Sequence, residues 1–321
     1  VKCEIKTFAY FKLHEKGISF TSPFLEVSMD TIVQQLFNAM QLGAVYALIA
    51  LGYTMVYGII RLINFAHGDI FMVGAFIGFL MAAYLGLPFW ILMPLTMVLT
   101  ALVGMAIERV AYRKLRSAQR MSLVITALGV GIFLENFVRM VVGPQTRQIP
   151  AGFPDKVIHW FQPYLTITVD KIWIIVISLI LMVILWFFVN KTLMGTAMRA
   201  VADNKEVVPL MGINLNLVIA VTFAIGSALA AAGGIFFGQA YSIDPYMGID
   251  LGWKAFIAAV IGGIGSIEGA VLGSFMLAGV EVLTVAYLSS NLKNGIVFGL
   301  LILLLLIWPS GIMGKPLMKK V

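Results

Sequence analysis

Long apolar runs, separated by short polar or Gly/Pro-rich breaks, fill the sequence from residue 31 onward. Runs over 31–60, 66–85, 89–111, 121–142, 172–190, 216–239 and 292–308 are each long enough to cross a hydrocarbon core, which takes about 20 residues. The Gly-rich stretch 253–288 is either one long span or two broken ones. The pattern predicts an all-α, polytopic membrane helix bundle of about eight transmembrane spans. Between the runs lie two longer polar connections, 143–171 and 191–215.

Composition agrees with lipid as the solvent. The 321 residues are 61% hydrophobic and only 12% charged, whereas a soluble domain carries roughly 25% charged residues. Residues 29–321 read as one transmembrane domain. Residues 1–28 lack the apolar core and cleavage site of a signal peptide and read as an N-terminal extension, with Met29 as the candidate start. The single cysteine, Cys3, excludes an intrachain disulfide.

The net charge of +7 is placed by topology, not by nucleic acid. Arg113, Lys114, Arg116 and Arg120 crowd one loop, Lys191, Arg199 and Lys205 another, and Lys315, Lys319 and Lys320 the tail. Positive charge in short loops marks the cytoplasmic side, which places the C-terminus there. Three crossings before residue 112 put the N-terminus outside, while Lys2, Lys6, Lys12 and Lys16 argue for inside. A segment that enters and returns near 61–68 is one resolution.

Small residues recur every four positions, which places them on one helix face and lets backbones approach. The rows are Gly74, Gly78, Ala82 and Gly86; Gly226, Ala230, Gly234 and Gly238; and Ala258, Gly262, Ser266, Ala270, Ser274 and Ala278, flanked by Gly265, Gly269 and Gly273.

Ionisable groups at membrane depth are expensive and are site candidates by default. Glu135 and Arg139 have the spacing of a helical ion pair. Glu108-Arg109 reads as interfacial, Glu281 has no local partner, and Lys254 is placed to reach the headgroups along its stem. Asp244, Pro245 and Asp250 read as an external turn. Asn64, Phe65, His67 and Gly68 interrupt two apolar runs. Such a break is tolerated only against protein or a water-lined cavity, so these four are translocation-path candidates, a plain loop being the alternative. The sequence carries no metal-ligand set, no nucleophile–base constellation and no phosphate-binding loop. No catalytic residue or bound cofactor is expected, and any ATP must be hydrolysed by another chain.

The loop GTAMRAVADNKEVVPLMGIN (195–214) is too polar to cross and too patterned for an idle linker. Asp203 with Glu206 has the form of a capping box, and Gly212 suits a helix end. The pattern predicts a short helix between them, bent at Pro209.

At this loop the chain resembles the permease subunits of bacterial ABC importers for branched-chain amino acids, of the LivH type. The resemblance runs through LGAVYALIALGYTMVYGIIRLINFAHGDIFMVGAF (42–76), IERVAYRKLR (107–116), MGTAMRAVADNKEVVPLMGIN (194–214), FAIGSALAAAGGIFFGQ (223–239), KAFIAAVIGGIGSIEGAVLG (254–273) and WPSGIMGKP (308–316). It implies a multi-pass inner-membrane protein. It also implies a coupling helix in the 195–214 loop, with Arg199, Ala200, Asp203, Glu206 and Gly212 as the contact residues. The implied partners are a second permease, homologous or identical, two ATPase subunits carrying ATP and Mg, and a periplasmic binding protein. Urea or a short amide is the alternative cargo. An ion-coupled secondary transporter is the alternative class.

Overall fold

The computed structural model describes residues 29–61, 63–116, 118–150, 157–160 and 165–314. The N-terminal extension 1–28, with its lysines and Cys3, and the tail lysines lie outside them. The apolar runs become helices α1 (Met29–Ile60), α2 (His67–Leu85), α3 (Phe89–Ile107), α4 (Arg120–Val142), α5 (Val169–Lys191), α6 (Leu193–Asp203), α7 (Leu215–Ala240), α8 (Met247–Gly262), α9 (Ile267–Tyr287) and α10 (Lys293–Ile307). Among the described residues, eight helices are long and apolar enough to span a membrane, with α3 continuing to Leu115 through a π-helical turn at Glu108–Tyr112. The 16-residue α8 is a shorter, additional element.

The 253–288 stretch is two helices. Gly263 and Gly265, at φ 104° and 98°, turn the chain between them, a conformation that side chains with a Cβ resist. The third small-residue row is thus split across a hairpin. Its glycines still face one another: Gly262 sits on the Gly269 carbonyl, and Gly265 lies beside Gly58. Gly226 meets Gly52 and Gly234 meets the α2 backbone at Phe71 and Ala75. These contacts bury α1, α2 and α7 at the centre, where Ala44 to Leu51, Ile70 to Met72 and Ala230 to Ala232 are almost fully enclosed. By contrast α4, α5 and α10 turn Ile132, Phe133, Val183, Ile184, Leu303 and Leu306 outward, as lipid-facing helices do.

Packing fixes the two ends of the bundle. Gly226 opposes Gly52 while Gly233 opposes Val45 and Leu48, so α1 and α7 run antiparallel. Gly74 opposes Ala231 and Gly78 opposes Ile235, so α2 and α7 run parallel. Residue 29 therefore lies at the end opposite the basic 113–116 and 191–214 regions, after three crossings. The 61–66 segment adds no crossing. It climbs back into the bundle before α2 begins, because His67 sits at the level of Gly52.

The polar connection 143–171 holds a feature not expected from sequence, a two-stranded antiparallel hairpin of β1 (Val157–Trp160) and β2 (Leu165–Thr168). At the same end Arg147 and Ile243 exchange backbone hydrogen bonds. At the opposite end residues 308–314 fold back, and the amides of Ile312 and Met313 satisfy the terminal carbonyls of Ile261 and Gly262.

Candidate functional site

Three clusters could carry function: a charged cavity at one end, the broken segment inside the bundle, and the loop at the basic end.

The cavity encloses about 540 Å³ between α1, α5, α7, α8 and α9, within the range of small-ligand pockets. At its floor α1 supplies Tyr46, α8 supplies Asp250 and Lys254 one turn apart, and α9 supplies Glu281. Tyr46 Oη donates to Glu281 Oε2 at 2.8 Å, and Lys254 Nζ donates to Glu281 Oε1 at 2.9 Å. Lys254 also pairs with Asp250 Oδ2 at 3.1 Å. Tyr46, Lys254 and Glu281 are at most 5% exposed, while the Asp250 side chain is 57% exposed. Lys171 and Lys293, from the starts of α5 and α10, stand at the mouth, with Lys171 bonded to Asn38. Lys254 thus turns inward instead of reaching for headgroups. Asp250 belongs to a helix, not to the Asp244 turn.

The second cluster is the 61–69 segment. Arg61, at φ 57°, ends α1 in a left-handed conformation. Asn64 Oδ1 accepts from Tyr112 at 2.6 Å, and Phe65 packs on Trp253 and Phe256. His67 lies edge-on to Tyr53 at 4.8 Å and bonds the Ile49 carbonyl. Gly68 is pressed onto the backbone of Gly248 and Gly252. Asp69 shares a hydrogen bond with Glu135 of α4. The expected Glu135–Arg139 pair does not form, and Arg139 lies over the Tyr246 ring. Asn64, His67, Gly68 and Asp69 are buried. Yet Asn64 Nδ2, His67 Nε2 and Asp69 Oδ1 have no protein partner. None of Asn64, Phe65, His67 and Gly68 lines the 540 Å³ cavity.

In the third cluster, a single residue, Thr192, separates the end of α5 from the start of α6, and its side chain caps Gly195 N at 3.1 Å. Met198 and Val201 face the bundle. The helix ends, and does not begin, at Asp203. The Asn204 side chain takes the capping place, accepting from the Glu206 and Val207 amides at 3.0 and 3.4 Å, and a 3₁₀ turn follows at Val208–Met211. Pro209 therefore bends no longer helix. It sits near the start of this tight turn, where no amide is needed. Gly212 closes the turn at φ 77°, as its helix-end reading requires. Arg199 turns back to the Val189 carbonyl and bonds Thr196 at 3.1 Å. Ala200 is half-buried, and Asp203 and Glu206 are exposed. The most exposed apolar side chains here are Leu193, Leu210 and Met211, at 92%, 85% and 70%. Sequence reasoning passed over Leu193 and treated Leu210 and Met211 only as part of a helix. Near this end Glu108 is buried and paired with Arg113 and Arg116.

Comparison with known proteins identifies the family. The family model described as "Branched-chain amino acid transport system / permease component" matches residues 35–306. The high-affinity branched-chain amino acid transport system permease protein LivH of Salmonella typhimurium is 43% identical over 302 residues, covering 90% of this chain and 97% of the relative. BraD of Pseudomonas aeruginosa, named as a permease protein of the same kind of system, is 42% identical over 300 residues, covering 90% and 98%. LivM of Salmonella typhimurium is 25% identical over 302 residues, covering 86% of this chain and 69% of that protein. With its eight candidate spans and a match across nearly all the described residues, the chain belongs to the branched-chain amino acid transport permease family.

Proposed function

We propose that this chain is one permease of an ATP-driven importer that moves branched-chain amino acids across the bacterial inner membrane. The observation that carries the reading is the family match together with an apolar, exposed loop at the basic end of the bundle. By the positive-inside rule that end, with the C-terminus, faces the cytoplasm. The 540 Å³ cavity then opens outward, toward a periplasmic binding protein. Similarity to both LivH and LivM supports a pair of related permeases. Two ATPase subunits, which bind ATP and Mg, complete the assembly.

In this reading the 193–212 loop is the coupling element. Leu210 and Met211 enter a groove on an ATPase subunit, Asp203 and Glu206 flank them, and Arg199, Ala200 and Gly212 hold the loop's shape. Closure of the ATPases on ATP pulls the loop, and the bundle exchanges outward for inward access. Asn64, Phe65, His67 and Gly68 form the inner part of the path. Their unpaired polar atoms support that role, since buried groups normally find partners, and a second access state can supply them.

The test is ATP-dependent uptake of labelled leucine and urea, measured in parallel. The proteoliposomes carry this chain, a LivM-type permease, the ATPases and a binding protein. Leucine uptake is expected. Leu210→Asp is expected to abolish it by weakening ATPase docking tenfold or more, as loss of a buried leucine contact worth roughly 1.5–3 kcal/mol implies. Urea uptake alone would change the cargo. Uptake indifferent to ATP and to the variant would remove the importer reading.

A further inference from the structure

Four side chains from three helices meet at the floor of the outer cavity, and their chemistry is specific. Lys254 has three N–H donors, of which Glu281 and Asp250 engage two. The Glu281 carboxylate carries one bond on each oxygen, half of what it can accept. Asp250 is the exposed member of the group and faces the open volume. A fixed cation therefore lies about 3 Å from an accessible carboxylate, and apolar Leu42, Phe237 and Val282 also line the cavity.

We infer that this floor is a binding site for a free α-amino acid zwitterion. Lys254 takes the α-carboxylate, Asp250 takes the α-ammonium, and the aliphatic side chain lies along Leu42, Phe237 and Val282. The proposal rests on the importer reading and goes beyond it by giving the permease its own cargo site. Binding exchanges the Lys254–Asp250 pair for two new pairs with a ligand of zero net charge. The buried charge is unaltered, so no unpaired ion is left in the bundle in either condition. Glu281, held by Tyr46, keeps Lys254 at the floor throughout. A ligand with only one of the two charges strands either Lys254 or Asp250 and binds more weakly. Such an exchange gives weak, quickly reversed binding, which suits a site that must release its ligand inward.

The test reads occupancy at the cavity wall. Val285 is 46% exposed, lines the cavity and lies one turn beyond Glu281. Val285→Cys, in a Cys3→Ser background, reports modification by a charged methanethiosulfonate in the assembled importer in nanodiscs, without binding protein. Leucine is expected to slow modification several-fold. Isocaproate and isoamylamine, each carrying one charge, should do so only at concentrations at least about tenfold higher. Paired neutralisation, Lys254→Met with Glu281→Gln, should abolish protection by leucine, with recovery of the assembled importer and its unfolding midpoint showing that the variant folds. Asp250→Asn, at the exposed member of the group, should remove the advantage of leucine over isocaproate.

No protection by leucine in an importer that still drives ATP-dependent leucine uptake overturns the zwitterion site and leaves the importer reading standing. Equal protection by a single-charge analogue, or protection that survives both variants, also overturns it. Leucine protection without ATP-driven uptake supports the site and counts against the importer reading.

Discussion

The charged floor of the outer cavity and the inner 61–69 segment both place polar groups inside the bundle, and they satisfy them in opposite ways. In the cavity, where solvent can enter, Tyr46, Lys254, Glu281 and Asp250 are bonded to one another. In the inner segment, sealed by Gly52, Gly248 and Gly252, three polar atoms have no protein partner. A fold optimised for one state would do the reverse, because an unmet group costs most where water cannot reach it. The difference fits a protein with two access states. The outer charges hold one another while they wait for cargo, and the inner groups are arranged for contacts made when the bundle opens the other way.

The largest effect should come from breaking the outer network on one side. Glu281→Ala leaves Lys254 at 4% exposure with Asp250 alone, a loss of about 3–5 kcal/mol for a broken buried pair. Thermal unfolding in detergent should show a large fall. Adding Lys254→Met should restore most of it, since removing both charges leaves none stranded. No rescue would mean that the two side chains serve packing more than charge.

The inner segment should respond to volume before charge. In Gly68→Ala the new Cβ would meet the Gly248 carbonyl and lie 2.8 Å from Gly252 Cα. Backbone cannot swing aside as a side chain can, so an overpacking loss of about 1–3 kcal/mol is expected. It is measurable as a lowered unfolding midpoint and reduced recovery of folded protein. An unaffected midpoint would show that α2 and α8 are not in tight contact, and the sealed half of the comparison would fall.

Much of this architecture was legible because lipid enforces a simple pattern. The run 66–85 became His67–Leu85, and 216–239 became Leu215–Ala240. Gly212 could also be read from its turn chemistry, and Gly226 and Gly234 from their four-residue spacing, although the partners they meet, Gly52, Phe71 and Ala75, lie far away in sequence. The cavity could not. Glu281 finds Lys254 at a separation of 27 residues and Tyr46 at 235, and neither distance leaves a periodic trace. Local rules misled where tertiary partners outweighed them. Arg139 lies over the distant Tyr246 ring instead of pairing with Glu135, whereas the helix anticipated after Asp203 lies before it for a local reason, the Thr192 cap on Gly195. Asn64, Phe65, His67 and Gly68 stood out as a break in sequence, and the structure adds that the break is buried.

The smallest effect is the one that separates the two explanations of the inner segment. Thr54, on α1 next to Tyr53, is 2% exposed, and its hydroxyl has no protein partner. Valine has nearly the same shape and removes the hydroxyl. If the unmet hydroxyl is only a defect, Thr54→Val raises stability by about 0.5–1 kcal/mol and leaves uptake unchanged. If it is bonded in the second access state, the same substitution stabilises the outward-open form selectively. Population then shifts away from the inward form, and leucine uptake should fall a few-fold even as the unfolding midpoint rises by a degree or more. A raised midpoint with unchanged uptake would return the unpaired inner atoms to the status of ordinary packing faults.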